Sequence, residues 1–375
     1  MTEQKYAISD YPDTEQIYAE LKNLTSQPVR PIRKDKMENV LDYFASSCKR
    51  SKELTDEAKK LIPGGVQHNL AFNYPFPIAV EKAEGAHMWD VDGNQYIDFL
   101  QAGGPTVLGS NYAPVREKVI EMLQTCGSVT GLFHEYELKL AQLINRFMPA
   151  VEMFRMLGTG TESVMAAVRA ARAFTGKKKI IKSGGAYHGW SDSMVYGLHV
   201  PGTGRLEAKG IPFGATGNTQ EFFPNDLGSL KRLLIANRLL GGTAAVIVEP
   251  VGPESGTRPV PFDFNQKLRE LCDEFGALLI FDEVVTGFRL GLGGAQGYFG
   301  VKPDLTIFGK CVHRDCEWEL VDLGNFQFRD DQLGKIPFFV KVKRWSFHQV
   351  KVQTGQVNQS WTWIDHNSVN FIGRH

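Results

Sequence analysis

The sequence predicts an α/β protein in which helices cover both faces of a mostly parallel sheet. Between residues 153 and 308 lie five short, β-rich and nearly all-apolar runs: MFRML, KKIIK, TAAVIVEP, ALLIFDEV and DLTIF. Strands that are apolar on both faces are typical of buried parallel sheets. Segments with helical spacing, such as APVREKVIEMLQTC and ELKLAQLINRFM, precede the first run, and VMAAVRAARAFTG separates it from the second. This alternation favours the α/β class.

The composition argues against several classes of function. Lys+Arg and Asp+Glu number 42 each, so no excess of positive charge points to nucleic acid or to an anionic membrane. No apolar run approaches the roughly 20 residues of a membrane span, and the N-terminal segment lacks the pattern of a signal peptide. Five scattered cysteines without C-x-x-C spacing indicate reduced thiols rather than a zinc site. We expect a cytoplasmic protein that holds no metal.

The chain divides into four parts. Residues 1–60 are polar and helix-permissive, and they predict an N-terminal helical arm. Residues 61–110 contain a near alternation of apolar and polar residues around Asp92-Gly93, which predicts a β-hairpin. Residues 111–310 carry the alternating strands and helices of a large domain, and residues 311–375 differ from the rest. In parallel sheets, ligands collect beyond the carboxyl ends of the strands, so these ends are the places to search for chemistry.

A glycine-containing turn, GTGTES, follows the first strand. Thr159 and Glu162 stand in the capping-box relation, so a helix is expected to begin here and to end at Gly176. The first turn of a helix suits a phosphate, although a plain loop explains the glycines equally well. A dinucleotide site is disfavoured, because Ser163 replaces the third glycine and a lysine-rich run stands where an acid would hold the ribose.

Three further strand ends carry candidate residues. Glycines flank Tyr187 and His188 in SGGAYHGW, so a flat ligand could approach and stack on Tyr187, which could otherwise be a core tyrosine. The following GWSDS lacks the closing glycine of a serine-hydrolase elbow. Asp282 follows an apolar strand, where its partner is either a pyridinium nitrogen or an arginine or lysine. Lys310 stands beyond the last strand, either as a Schiff-base lysine or as a solvated one.

The ordered set of motifs resembles the class-III aminotransferase family of pyridoxal-phosphate enzymes. It comprises GTGTES, GGAYHGW, IVEPVGPESG, LLIFDEVVTGFR and PDLTIFGK, with PGG and GAHMWDVDGNQYIDF before them. The similarity covers residues 50 to 310 and is closest to the branch that contains glutamate-1-semialdehyde 2,1-aminomutase. It implies fold type I of the pyridoxal-phosphate transferases and a homodimer. The implied reaction moves an amino group from an amino acid or amine to a 2-oxo acid or aldehyde.

The resemblance also implies a role for individual residues. Lys310 would bind the cofactor as an aldimine and move the proton during catalysis. Gly160 and Thr161 would hold the phosphate, and Asp282 would pair with the pyridine nitrogen. The remaining cofactor-site positions are Tyr187 over the ring with His188 beside it, Val284 on the opposite face, and Glu249 as a supporting residue.

Two departures from the aminomutase branch bear on the substrate. That branch tends to carry an arginine for the substrate carboxylate where this chain reads VQHNLAFN, with Ala71 near the place. Glu254 stands where the branch often has asparagine, whereas other class-III aminotransferases have glutamate there. We therefore expect an aminotransferase, with the aminomutase as one alternative and a catalytically inactive, truncated relative as another.

The similarity ends after Lys310. Residues 311–375 contain no alanine and no tyrosine but hold four of the six tryptophans. We hypothesise that a frameshift, an alternative exon or an intron read-through produced this tail. The small C-terminal domain of the family is accordingly expected to be missing.

Overall fold

The architecture is that of a mostly parallel sheet with helices on both faces, as predicted. The structure is a computed structural model that describes residues 6–127, 132–148, 150–198, 209–212, 214–312 and 325–326. Its helices are α1 Thr14–Ser26, α2 Lys34–Ser47, α3 Lys49–Ala58, α4 Ala113–Thr125, α5 Glu135–Phe147, α6 Gly160–Thr175, α7 Leu227–Arg238, α8 Pro253–Gly256, α9 Phe264–Phe275 and α10 Gly294–Phe299. Short 3-10 turns lie at Pro63–Gly65, Asn69–Ala71, Gln101–Gly103 and Lys310–Val312.

The described strands form two sheets. The first is antiparallel and contains β1 Val80–Glu84, β2 His87–Asp90 and β3 Gln95–Ile97. The second contains β4 Arg155–Met156, β5 Lys179–Ser183, β6 Thr219–Phe222, β7 Thr243–Val248, β8 Leu278–Glu283, β9 Leu305–Phe308 and β10 Asn325–Phe326. Its order is β4-β10-β9-β8-β7-β5-β6. Strands β9 through β6 are parallel to one another, whereas β10 is antiparallel to both of its neighbours.

Alternate residues of the central strands pack into two separate hydrophobic clusters. Ile180, Ile247 and Ile280 pack with α6 on one face, whereas their neighbours Ile181 and Val246 pack with α7 and α9 on the other. This is the period of two expected for a strand. Because both faces are buried, these strands read as continuous apolar runs, which is why they could be recognised in the sequence.

Helix α6 begins and ends where its capping residues predict. The Thr159 side chain accepts a hydrogen bond from the N–H of Glu162 at 3.1 Å, and Gly176 adopts the left-handed conformation at the C-terminus. Buried alanines and valines let the helix lie close to the sheet. The first turn of α6 is thereby fixed at the carboxyl edge of the strands.

The N-terminal helices and the small sheet are joined by polar contacts. The predicted hairpin around Asp92-Gly93 is formed by β2 and β3. The Asp92 carboxylate accepts from the N–H groups of Arg50 and Ser51 at 2.7 and 2.9 Å, and so caps α3. The Tyr11 hydroxyl donates to the carbonyl of Val260 at 2.7 Å, which ties the segment before α1 to the large sheet.

One strand was not predicted from the sequence, and one prediction concerns residues that the structure mostly does not describe. Strand β6 was not predicted, because TQEF lies at the edge of the sheet and contains a single apolar residue, so it lacks the apolar run of the central strands. The interpretation of residues 311–375 as a tail foreign to the family falls almost wholly outside the described residues. Beyond residue 312 the structure describes the two residues of β10.

A buried ion pair is expected to contribute strongly to stability. Arg269 of α9 contacts Asp304 at 2.5 Å, and Asp304 also accepts from the N–H of Leu279. Replacing Arg269 by Met leaves the Asp304 carboxylate buried without its cation. We predict a loss of about 3–5 kcal/mol in the free energy of unfolding, measured by urea denaturation.

The control for this experiment is an ion pair of similar length at the surface. Lys231 contacts Glu274 at 3.1 Å, and both side chains are about half exposed. Lys231→Met should cost less than about 1 kcal/mol. Equal losses in the two variants would contradict the assignment of Arg269 as a buried anchor.

Candidate active site

The predicted site residues lie at one edge of the large sheet. Strands β5, β7, β8 and β9 are parallel, so their carboxyl ends meet at the same edge. Glu249 follows β7, Asp282 is the second-last residue of β8, and Lys310 lies two residues beyond β9. Strands β8 and β9 are neighbours, and Asp282 is paired in register with Ile307. The fold therefore brings Asp282 and Lys310 to adjacent strand ends.

The centre of the site is a buried contact between His188 and Asp282. The Nδ1 atom of His188 lies 2.7 Å from Oδ2 of Asp282, and the two residues are 1% and 6% exposed. Burial lowers the pKa of His188, although the Asp282 carboxylate opposes this, so the ring is neutral and Nδ1 donates. His188 Nε2 is then a bare acceptor, buried and without a hydrogen-bond partner among the described residues.

The side chain that contacts Asp282 in the structure is a histidine and not an arginine or lysine. Within the described part of the chain, no arginine or lysine nitrogen lies within 4.0 Å of its carboxylate. Its second oxygen accepts from the N–H of Val284 at 3.2 Å. Val284 is half-buried and packs against the cluster on the α6 side of the sheet. Asp282 is thus held by a histidine and by backbone rather than neutralised by a salt bridge.

Glu249 supports the segment that carries Tyr187. Its carboxylate accepts from the N–H groups of Tyr187, Glu254 and Ser255 at 3.2, 3.0 and 2.7 Å. Burial, followed by the nearby charge of Asp282, raises the pKa of Glu249 to about 7, against the opposing effect of these three donors. Glu249 therefore acts on the site through Tyr187, whose ring is 53% exposed.

Lys182 is a site residue that the sequence reasoning missed. This lysine of β5 is fully buried, and Nζ donates to the carbonyls of Ala186 and Met194 at 2.7 and 3.1 Å. It thereby fixes both ends of the segment that contains Tyr187 and His188. The available signal was a lysine at the carboxyl end of an otherwise apolar strand, where an ammonium group is buried only with acceptors around it.

The first turn of α6 lies against the same segment. Gly189 has a φ of +83°, and a Cβ there would lie 2.5 Å from Oγ1 of Thr161, so only glycine permits this approach. The N–H of Trp190 donates to Thr161 Oγ1 at 3.4 Å. Gly160 and Thr161 occupy the positive end of the helix dipole, as a phosphate site requires.

Lys310 is covered by a segment from the N-terminal part of the chain. Its Nζ atom donates to the carbonyl of Gly103, which is not one of the predicted site residues. Arg289 donates to the carbonyl of the adjacent Gly104. The side chain of Leu70 also lies close to Gly103. The hydrogen bonds of Lys310 and Arg289 span more than 180 residues of sequence, so no local pattern could have predicted them.

The described residues also bear on two other classes of protein. No helix among them has the length and apolarity needed to cross a membrane. Nor do they bring together three or more His, Cys, Asp or Glu side chains that could hold a metal ion.

The mostly parallel sheet with helices on both faces has the architecture of fold type I of the pyridoxal-phosphate transferases. The model of the class-III aminotransferase family matches residues 70–314. The chain belongs to the class-III aminotransferase family, whose cofactor is pyridoxal phosphate. The match ends four residues beyond Lys310 and includes every site residue predicted from the sequence.

Individual relatives agree with this assignment. Over 268 residues the chain is 46% identical to glutamate-1-semialdehyde 2,1-aminomutase 1 of Lachnoclostridium phytofermentans, covering 70% of this chain and 62% of that protein. An omega-transaminase from Sphaerobacter thermophilus superposes with a TM-score of 0.71 at 29% identity, covering 78% of this chain and 66% of that one. A transaminase with PLP bound has a TM-score of 0.68 at 31% identity, covering 80% and 69%. The chain thus spans less than two thirds of the aminomutase that it matches.

The raised pKa of Glu249 predicts a specific pH dependence of stability. The folded-state pKa of about 7 lies above the ordinary 4.5, so the folded chain binds this proton more tightly than the unfolded chain. The resulting stabilisation is complete below about 4.5 and is lost as the pH rises through 7. Relative to Glu249→Gln, the unfolding free energy of the wild type should fall by up to about 1.4 kcal/mol per pH unit in this window.

Urea denaturation at several pH values measures this difference. Glu270→Gln, at an exposed glutamate, serves as the control. A constant difference between the wild type and Glu249→Gln would show that the pKa of Glu249 is not raised by folding.

Proposed function

We propose that this chain binds pyridoxal phosphate at the strand-end site and transfers an amino group, with Lys310 as the covalent attachment point. The observation that carries the proposal is the buried His188–Asp282 contact beside the strand that leads to Lys310. A carboxylate held by a neutral imidazole, instead of being paired with a lysine or arginine, is suited to a pyridine nitrogen. The family membership supports the same cofactor.

The surrounding residues fit the other parts of that cofactor. Asp282 would contact the pyridine nitrogen, with the exposed ring of Tyr187 over one face and Val284 on the other. Gly160 and Thr161 would hold the phosphate at the first turn of α6. When bound, pyridoxal phosphate supplies an electron-withdrawing ring that stabilises negative charge on the substrate carbon.

Four residues of the chain have separate roles in the proposed reaction. Lys310, whose amine donates to the Gly103 carbonyl, would hold the cofactor, and that amine would move the proton at the substrate carbon that bears the amino group. His188 keeps Asp282 oriented through Nδ1–H. Glu249 holds the backbone of Tyr187, and Lys182 fixes the segment around it.

The proposed reaction transfers the amino group of an amino acid or amine to a 2-oxo acid or aldehyde. The aminomutase activity named for the L. phytofermentans relative is the second candidate, and 46% identity favours it. Ala71 and Glu254 favour an aminotransferase instead. A catalytically inactive relative is the third candidate.

The proposal extends to the setting of the chain. We infer that the protein is cytoplasmic and that it forms a homodimer. The homodimer is supported by exposed apolar side chains, namely Ile97, Phe99, Val107 and Leu108. The proposed division is a helical arm at 1–60, a hairpin segment at 61–110, the cofactor-binding domain at 111–310 and a tail foreign to the family at 311–375.

Borohydride trapping tests the attachment point. The chain incubated with pyridoxal phosphate should turn yellow, and reduction should leave the cofactor on the peptide that contains Lys310, identified by mass spectrometry. Lys310→Met should abolish the adduct, whereas Lys302→Met, at an exposed lysine of similar distance from β9 in sequence, should retain it. A colourless protein without an adduct would sink the proposal.

Stacking on Tyr187 predicts a graded effect on cofactor affinity. Tyr187→Leu removes the aromatic face and should weaken pyridoxal-phosphate binding about 3- to 10-fold, whereas Tyr187→Phe retains the ring and should change it little. Fluorescence titration of each variant measures the dissociation constant. Equal weakening in both variants would assign the role to the hydroxyl group instead.

A further inference from the structure

Arg289 lies beside the lysine of the proposed site. Its Nη2 atom donates to the carbonyl of Gly104, next to the Gly103 carbonyl that accepts from Lys310. Gly104 has a φ of +121°, and a Cβ built on it would lie 3.6 Å from both Arg289 Nη2 and Lys310 Nζ. Nη2 of Arg289 and Nζ of Lys310 therefore both lie close to Gly104, and the distance between these two nitrogens is at most twice 3.6 Å.

Among the described residues, the guanidinium group of Arg289 has few hydrogen-bond partners. Arg289 is half-buried, and its Nε is fully buried without a hydrogen-bond partner among the described residues. Within the same residues, no carboxylate lies within 4.0 Å of it. Its other described neighbour is the Cys311 thiol. A guanidinium has five N–H donors, so the hydrogen bonds of Arg289 to Gly104 and Cys311 leave donors for a ligand.

The residue before Arg289 has an unfavourable backbone conformation. Phe288, directly before Arg289, has a φ of +59°, which residues with a side chain seldom adopt. Its ring packs near that of Phe308, with centroids 6.4 Å apart, and this packing holds the turn. Such conformations persist where the surrounding structure determines them, and they cluster at functional sites.

We propose that Arg289 binds the carboxylate of the substrate and selects amino acids and 2-oxo acids over plain amines and aldehydes. This assignment rests on the proposed function and narrows its substrate class. The planar guanidinium matches a carboxylate with two parallel hydrogen bonds. In an amino acid, the carboxylate and the reacting amine share one carbon, so a carboxylate on Arg289 places that amine beside Lys310. Ala71, in the segment that precedes the first strand, supplies no competing cation.

Binding of an unreactive carboxylate tests this assignment without requiring turnover. Titration calorimetry with succinate, and with uncharged succinamide as the comparison, is carried out on the chain before and after incubation with pyridoxal phosphate. Arg289→Gln retains an N–H for the Gly104 carbonyl but removes the charge. Its succinate affinity should fall about 10- to 100-fold, with little change for succinamide. Arg289→Lys should lose about tenfold, because lysine keeps the charge without the paired geometry.

The matched control is Arg172, another half-buried arginine, whose Nε donates to the backbone carbonyl of Lys178 at 2.9 Å. Arg172→Gln should leave succinate binding unchanged. The proposal is overturned if the wild type binds no succinate in either state, if Arg289→Gln and Arg289→Lys bind it normally, or if succinamide binding falls equally. An Arg289-dependent affinity in a chain that forms no adduct at Lys310 would instead refute the proposed function alone.

Discussion

The buried hydrogen bond between His188 and Asp282 is the interaction on which the site depends. A carboxylate removed from water needs donors, and here a neutral imidazole and one backbone N–H provide them. The carboxylate is fixed in direction but is not neutralised by a lysine or arginine among the described residues. The contact also joins the segment after β5 to the end of β8, so Tyr187, the proposed stacking residue, and Asp282 take their positions together.

The parallel sheet supplies the constraint that makes this contact possible. Its central strands are buried on both faces by α6 on one side and by α7 and α9 on the other, so their register is fixed by packing. Around the contact, Lys182 and Glu249 bind backbone groups of the Tyr187 segment from two strands. The buried polar groups at this edge therefore hold one loop in place.

Much of this arrangement could be predicted from local sequence. The apolar strand runs, the cap at Thr159, the glycine at 176 and the strand-end positions of Asp282 and Lys310 depend on neighbours close in the chain. The hydrogen bonds of Lys310 and Arg289 to Gly103 and Gly104 could not be predicted, because the partners meet only through the tertiary fold. The polar edge strand β6 was missed for a related reason, since its pairing with β5 rather than its composition makes it a strand.

We propose that Asp282 acts on the ring nitrogen of the cofactor. The nitrogen-15 NMR signal of ring-labelled pyridoxal phosphate bound to the chain, compared between the wild type and Asp282→Asn, tests this role. We expect a protonated nitrogen in the wild type and loss of that protonation in the variant, because the carboxylate stabilises the pyridinium charge. The same signal from both proteins would show that Asp282 does not set the protonation of the ring nitrogen.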